Sequence, residues 1–146
     1  MSDIEPQDSY EHVAVVGMAG RFPGAPDVGR FWRNLCDGVE SISTFNEREL
    51  AELGLDAEIL GASNYVRARG VLDGVEQLDA AFFDLTPREA ELMEPQIRLF
   101  LEHSWEALEH AGYDPEAYGG LVGVFGGMSM GEYLYRNLLT NRDLVR

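Results

Sequence analysis

TPREAELMEPQIRLFLEHSWEALEHAGY, residues 86–113, predicts a short helix, a break at a proline and then one long helix. We expect Thr86 to cap the first helix, with Glu89 as its capping-box partner. Pro95 has no backbone N–H and would clash with the turn before it, so it must begin a new helix. Gly112 is typical of the left-handed residue at which a helix ends.

The long helix has one apolar face. Small or apolar side chains recur along it at steps of three and four residues: Ile97, Leu101, Ser104, Leu108 and Ala111. Such a face requires a broad partner surface, and we expect a sheet there. Two short apolar runs bounded by glycines, residues 12–17 and 122–125, are predicted to be buried strands. The predicted fold class is therefore α/β.

The remaining elements are predicted from caps and turn residues. Asp27 should cap a helix that ends at Gly38. Residues 41–60 predict a turn and two short helical pieces, and residues 64–72 predict an extended segment. A last helix is expected over residues 132–139.

Composition excludes several classes of function. The 146 residues are 45% hydrophobic and 25% charged, as in a globular protein with one core. The formal net charge is −15 and every basic residue is an arginine, so nucleic acid is excluded as a partner, because its phosphates would be repelled. The missing lysine excludes Schiff-base chemistry. No apolar run is long enough for a membrane span, and one cysteine fits a reducing cytoplasm.

Two patterns could carry chemistry by themselves. His103, Glu106 and His110 are spaced i, i+3 and i+7 and could offer three metal ligands on one helical face. We expect instead that they belong to the solvent side of the helix, and we assign no metal site. Ser129 stands in Gly-Met-Ser-Met-Gly, which matches the nucleophile elbow of hydrolases in form. The residues after it contain no histidine, so a triad in that chain order cannot be completed.

Two further features have a structural and a chemical interpretation. The glycine-rich run at residues 17–24 could cradle a phosphate, but its spacing is not that of a dinucleotide-binding loop, and a tight structural turn is favoured. Cys36 could be a nucleophile, but Asp37 and Glu40 beside it oppose a negative thiolate. We expect a packed or half-buried thiol.

Several spaced motifs, taken together, resemble the opening of a β-ketoacyl synthase, and within that family the ketosynthase of a modular polyketide synthase. They are AVVGMAGRFPGA at 14–25, Phe31-Trp32, Arg69-Gly70, Phe82-Phe83, PREA at 87–90, MEPQIRL at 93–99, WEALE at 105–109, AGY at 111–113 and GVFGG at 123–127. Two departures stand out. Glu94 replaces the family's usual aspartate, and Ile97 replaces a usual glutamine.

The resemblance implies a thiolase-like fold, of which this chain would be the N-terminal part only, an incomplete layered αβ core. Residues 1–10 are expected to be a flexible leader and residues 11–146 the N-terminal part of a ketosynthase, at or near the start of its polypeptide. The complete domain would catalyse decarboxylative Claisen condensation of an acyl thioester with a malonyl-type extender. The family's catalytic cysteine and histidines come later in its sequence. We therefore assign no catalytic role to Cys36 or to the histidines at 12, 103 and 110.

Met128, Ser129 and Met130 resemble the family's segment that lines the acyl pocket near the dimer interface, and they are the predicted substrate-binding residues. No cofactor is expected to bind directly, since the substrates are carried on the phosphopantetheine of an acyl carrier protein. The implied partners are that carrier protein, the remainder of the ketosynthase, other synthase domains and a second copy in a homodimer. The alternative is a truncated, non-catalytic ketosynthase-like unit for interaction or dimerisation.

Overall fold

A computed structural model describes residues 12–129, 131 and 133–141. The elements in chain order are α1 (Val28–Asp37), β1 (Ile42–Thr44), α2 (Glu47–Glu52), α3 (Ala57–Leu60), β2 (Ala68–Gly70), α4 (Pro87–Leu92), α5 (Pro95–Ala111) and a short π-helical segment (Leu134–Leu138).

The predicted helix, break and second helix are confirmed in α4 and α5. Thr86 Oγ1 accepts a hydrogen bond from the Glu89 N–H at 3.2 Å, and Glu89 Oε2 accepts from the Thr86 N–H at 2.8 Å. Glu94 caps α5 by accepting from the Gln96 N–H at 3.0 Å. Gly112, with φ of 74°, ends the helix as predicted.

The capping box at the start of α4 makes a pH-dependent contribution to the stability of the folded state. The Thr86 backbone N–H, and then its hydroxyl, lower the pKa of the Glu89 carboxyl below its ordinary value of 4.5. Since the lowered value belongs to the folded state, the box stabilises folding above the ordinary pKa. That contribution is lost as the pH falls through the lowered value.

The other local predictions are also largely confirmed. Asp27 caps α1, which ends at Gly38 with φ of 66°. The two short helices after residue 45 are α2 and α3. The extended segment is β2, which pairs antiparallel with β1, from Ile42 opposite Gly70 to Thr44 opposite Ala68. The strand β1 lies where a turn was expected, because its β-branched residues find a partner that is distant in sequence.

The two predicted buried strands are wrong for the described chain. Residues 12–17 and 122–125 have no regular secondary structure. Val13 is 93% exposed and Phe125 is 95% exposed. A strand buried on both faces needs neighbours that bond its N–H and C=O groups, and no described strand lies beside either run.

Turns, rather than a sheet, contact α5 in the described residues. The Met18 N–H donates to His110 Nδ1 at 3.1 Å. Arg21 pairs with Glu102 at 3.4 Å, with both side chains largely shielded from solvent. Phe82 meets the Trp105 ring edge-on at a centroid distance of 4.9 Å. Helix α5 is therefore the scaffold on which segments distant in sequence are placed.

The start of α5 is tied to the C-terminal segment by a buried arginine. Arg98 is 6% exposed. It donates to the carbonyls of Met93, Glu76 and Glu91 and to the Tyr133 hydroxyl, at 2.9 to 3.3 Å. Each polar partner is uncharged, so the buried cation is satisfied by oriented dipoles. The last predicted helix is present in part, as the π-helical Leu134–Leu138; residue 132 lies outside the described residues.

Few apolar side chains of the described residues are buried. In the described ranges the buried ones are Ala25, Leu50, Leu60 and Leu138. Large apolar side chains stay open to solvent, and Leu121 has no protection at all, with a relative exposure of 103%. No helix among these residues has the length and apolar character needed to cross a bilayer.

Gly17 provides a test of how closely the first turn packs on α5. A Cβ on Gly17 would overlap the Ala107 carbonyl oxygen and lie 2.9 Å from Ala111 Cβ. We expect Gly17→Ala to lower the free energy of unfolding by about 1–3 kcal/mol, because backbone and not a flexible side chain must move. Thermal melting followed by circular dichroism measures this. Gly119→Ala is the matched control, since a Cβ there meets nothing within 4 Å; equal melting of the two variants would contradict the packing described.

Candidate functional site

A glycine-rich turn crosses the first turns of α5. We call residues 126–131 the second glycine turn; its described members are residues 126–129 and 131. A Cβ on Gly126 would lie 3.5 Å from the Phe100 ring, and one on Gly131 would lie 2.8 Å from Glu94 Oε1. The missing side chain at Gly131 therefore allows the backbone to approach the cap of α5 closely, whereas a Cβ on Gly126 would make an ordinary van der Waals contact with the helix.

Ser129, in the middle of this turn, is bound by one side chain of α5. Its N–H and its hydroxyl both donate to Gln96 Oε1, each at 3.1 Å. Its carbonyl oxygen accepts from Gln96 Nε2 at 3.3 Å. Gln96 Nε2 also donates to Glu94 Oε1 at 3.0 Å, so the cap of α5 and the turn share one network. We call this set of contacts the Gln96 clamp.

The clamp decides between two interpretations of Ser129. The Ser129 hydroxyl donates to an amide oxygen, which is too weak a base to activate a nucleophile at neutral pH. The described residues that follow it, 131 and 133–141, contain no histidine. The geometry therefore supports a positioned turn and gives no support to a hydrolase elbow.

An apolar cavity of about 420 Å³ lies between this turn and α5. Its walls include Ile97, Leu99 and Phe100 from the helix and Met128 from the turn. Met128 remains 56% exposed. Of the three predicted substrate-binding residues, Met128 and Ser129 thus lie at this cavity or beside it, whereas Met130 lies outside the described residues.

The two histidines of α5 that the sequence offers as possible metal ligands each have a partner within the protein. His103 Nδ1 lies 2.9 Å from Glu106 Oε2, and His110 Nδ1 accepts from the Met18 N–H. Within the described ranges no group of three histidine, cysteine or acidic side chains is placed to hold a metal ion.

The remaining candidates from the sequence are also placed. The Met18 N–H is already bonded to His110, and Phe22 and Ala25 bond each other's backbone at 2.8 and 2.9 Å. Residues 17–25 are thus a tight structural turn, as favoured. Cys36 is exposed. The expectation of a packed or half-buried thiol was wrong, because Cys36 lies on the solvent side of the last turn of α1, whereas Asn34 in the same turn is buried.

Sequence reasoning missed the role of Gln96. It belongs to the MEPQIRL motif, and its polar character in the first turn of α5 suggested nothing unusual. Its partner Ser129 is 33 residues away, and no local pattern connects the two positions. The sequence signal for this contact is weak: a glutamine in the first turn of a helix, and a glycine-rich turn whose backbone needs hydrogen-bond partners.

Comparison with known proteins shows to which family the chain is similar. The family model for the N-terminal domain of β-ketoacyl synthases matches residues 10–145. The chain is 50% identical over 131 residues to a subunit of the phenolphthiocerol/phthiocerol polyketide synthase of Mycobacterium tuberculosis, a match that covers 90% of this chain and 9% of that protein. It is 40% identical over 134 residues to polyketide synthase ThaG of Burkholderia thailandensis, covering 88% of this chain and 2% of that protein.

Solved structures give the same result. Ketosynthase twelve of the bacillaene polyketide synthase of Bacillus amyloliquefaciens superposes with a TM-score of 0.58 at 41% identity, over 66% of this chain and 17% of that one. The ketosynthase from module 1 of the bacillaene synthase of Bacillus amyloliquefaciens FZB42 gives 0.57 at 45% identity, over 68% and 17%. The chain thus spans about a sixth of these ketosynthases and under a tenth of the two synthases above.

The residues that the family model matches, 10–145, include α4, α5 and the run before the second glycine turn. The described structure is accordingly a partial α/β unit of the thiolase-like fold. The chain belongs to the β-ketoacyl synthase family, as the N-terminal part of a ketosynthase of the modular polyketide synthase type.

Proposed function

We propose that this chain provides the acyl-pocket wall of a condensing ketosynthase and contributes no catalytic group itself. The observation that carries the proposal is the second glycine turn, which Gln96 holds at the edge of an apolar cavity. An acyl chain has no polar atoms to satisfy, so a wall of carbon side chains on a fixed backbone suits it. Met128, Ser129 and Met130 are the residues proposed to bind it.

In the complete domain the reaction has two bond-forming steps. A cysteine thiolate attacks the acyl thioester on the phosphopantetheine of a carrier protein, which forms the acyl-enzyme and releases the carrier thiol. A malonyl-type extender on a carrier then loses CO₂, and the resulting enolate carbon attacks the acyl carbonyl. The cysteine thiolate leaves, and a β-ketoacyl thioester remains on the carrier. Histidines and an oxyanion hole stabilise the charged intermediates.

The side chains of this chain support a division of labour in which it forms the pocket wall and the remainder of the ketosynthase supplies the catalytic groups. Cys36 is exposed on α1, and its neighbours in sequence are acidic. His103 and His110 are each engaged on α5, by Glu106 and by the Met18 N–H. The proposed partners are the carrier protein, the remainder of the ketosynthase with other synthase domains, and a second copy in a homodimer. A single cysteine and the lack of long apolar runs favour the cytoplasm.

The division of labour predicts that the 146 residues alone form no acyl-enzyme, whereas the complete ketosynthase that contains them condenses. Each is incubated with an acyl thioester and a malonyl-carrier protein, and intact mass and product are measured. A Cys36→Ala variant of the chain measures non-specific acylation. Stoichiometric acylation of the chain at Cys36 would contradict the assignment. A complete domain that binds its partners but never condenses would favour the non-catalytic interaction unit.

The proposed wall predicts a selective effect of Met130→Trp in the complete enzyme. A methionine adapts to several acyl shapes, whereas a tryptophan fills the space. We expect transfer of long or branched acyl chains to slow while short chains are nearly unaffected, with little change in melting temperature. Met18→Trp is a control in the other glycine-rich turn, where Met18 is 55% exposed. An equal loss for all acyl chains, together with a lower melting point, would contradict the proposed wall. That result is expected if Met130 belongs to the core, because overpacking a core lowers the free energy of unfolding by about 1–3 kcal/mol.

A further inference from the structure

The clamp uses every hydrogen-bonding position of the Gln96 amide in an arrangement that no other side chain can reproduce. The oxygen faces the Ser129 N–H, which can only donate, and the nitrogen faces the Ser129 carbonyl, which can only accept. These partners fix the orientation of the amide. A carboxylate could not donate to the carbonyl, a cation could not accept from the N–H, and an asparagine is shorter by one methylene.

The hydrogen bonds from Gln96 to Ser129 are similar to those that a neighbouring β-strand would make. It pairs the N–H and the C=O of one residue, which are the two groups that a strand partner bonds. The backbone of Ser129 is thereby held at a set distance from α5, although no described strand lies beside it. Because Ser129 is exposed, packing does not supply this constraint, and the hydrogen bonds must.

The clamp lies at the rim of the apolar cavity. Gln96 and Ile97 are adjacent on α5 and both line it, and Met128 lines it from the turn. The separation of turn and helix is therefore the width of the cavity. Glu94 Oε1 accepts the other hydrogen of the Gln96 amide, and a Cβ on Gly131 would lie 2.8 Å from that oxygen. The cap of α5 and the end of the turn are therefore close together.

We infer that Gln96 is a positioning residue for acyl-chain selectivity: it fixes the second glycine turn over α5 and so sets which acyl chains the cavity admits. This inference rests on the proposed function of the turn. Gln96 itself need not touch the substrate. Its loss should change the ranking of acyl chains more than it changes the overall rate.

The test compares three variants of the complete ketosynthase that contains this chain. Gln96→Met keeps the length of the side chain and removes its hydrogen bonds. Gln96→Glu keeps the acceptor for the Ser129 N–H, loses the donor to the carbonyl and still tests the inference if Gln96→Met does not fold. Gln77→Met is the matched control, because Gln77 is an exposed glutamine in a loop.

Two quantities are measured: hydrogen exchange of the Ser129 amide and the relative kcat/KM for a series of acyl thioesters of increasing length. We expect Gln96→Met to speed exchange about fivefold, as for the loss of one ordinary hydrogen bond. Gln96→Glu should speed it at least as much, because its carboxylate would face the Glu94 carboxylate and the Ser129 carbonyl. The ratio of long-chain to short-chain kcat/KM should shift in the same order, and Gln77→Met should change neither quantity.

Unchanged exchange in Gln96→Met, or a uniform loss of rate at constant selectivity, would overturn the inference. If the wild-type domain does not condense at all, the proposed function is wrong, and selectivity by Gln96 is wrong with it. Exchange of the Ser129 amide is independent of activity, so it separates a failed clamp from a failed function.

Discussion

The position at which α5 begins is the constraint on which the described structure depends. Pro95 cannot continue α4, so the helix is interrupted before residue 95 and α5 begins there. The backbone N–H groups of its first turn have no partners within the helix. That turn carries the Glu94 cap and the Gln96 clamp, and Arg98 follows it by bonding back to the Met93 carbonyl. A shift of the break by one residue would rotate all three side chains by about 100° about the helix axis.

The opposite end of α5 repeats this arrangement with different chemistry. Gly17 fits against the last turns of the helix, and the Met18 N–H bonds to His110. Both glycine-rich turns thus lie on the same helix, one at each end, and each uses a missing side chain to approach it. The first is held by a histidine nitrogen and the second by a glutamine amide, and only the second borders the apolar cavity at the first turns of α5.

The contrast between what could and could not be predicted follows from the range of the interactions. Caps such as Asp27 and Thr86 act over three residues, so their helices were predictable with their ends. The family motifs were equally visible in the sequence. The Ser129–Gln96 contact and the pairing of β1 with β2 connect distant segments and had no local signal. The prediction of strands at 12–17 and 122–125 was wrong for a third reason. Their composition is typical of strands, but no described strand lies beside them to bond their backbone groups.

We expect these two exposed runs to be strands of a thiolase-like core that form only when the rest of a ketosynthase is present. Hydrogen exchange of the amides at 12–17 and 122–125, in the 146-residue chain and in the complete domain, tests this expectation most directly. Rapid exchange is predicted in the chain alone, with protection by several orders of magnitude in the complete domain, as in the core strands of stable proteins. Rapid exchange of both runs in the complete domain, or equal protection in the two samples, would contradict it.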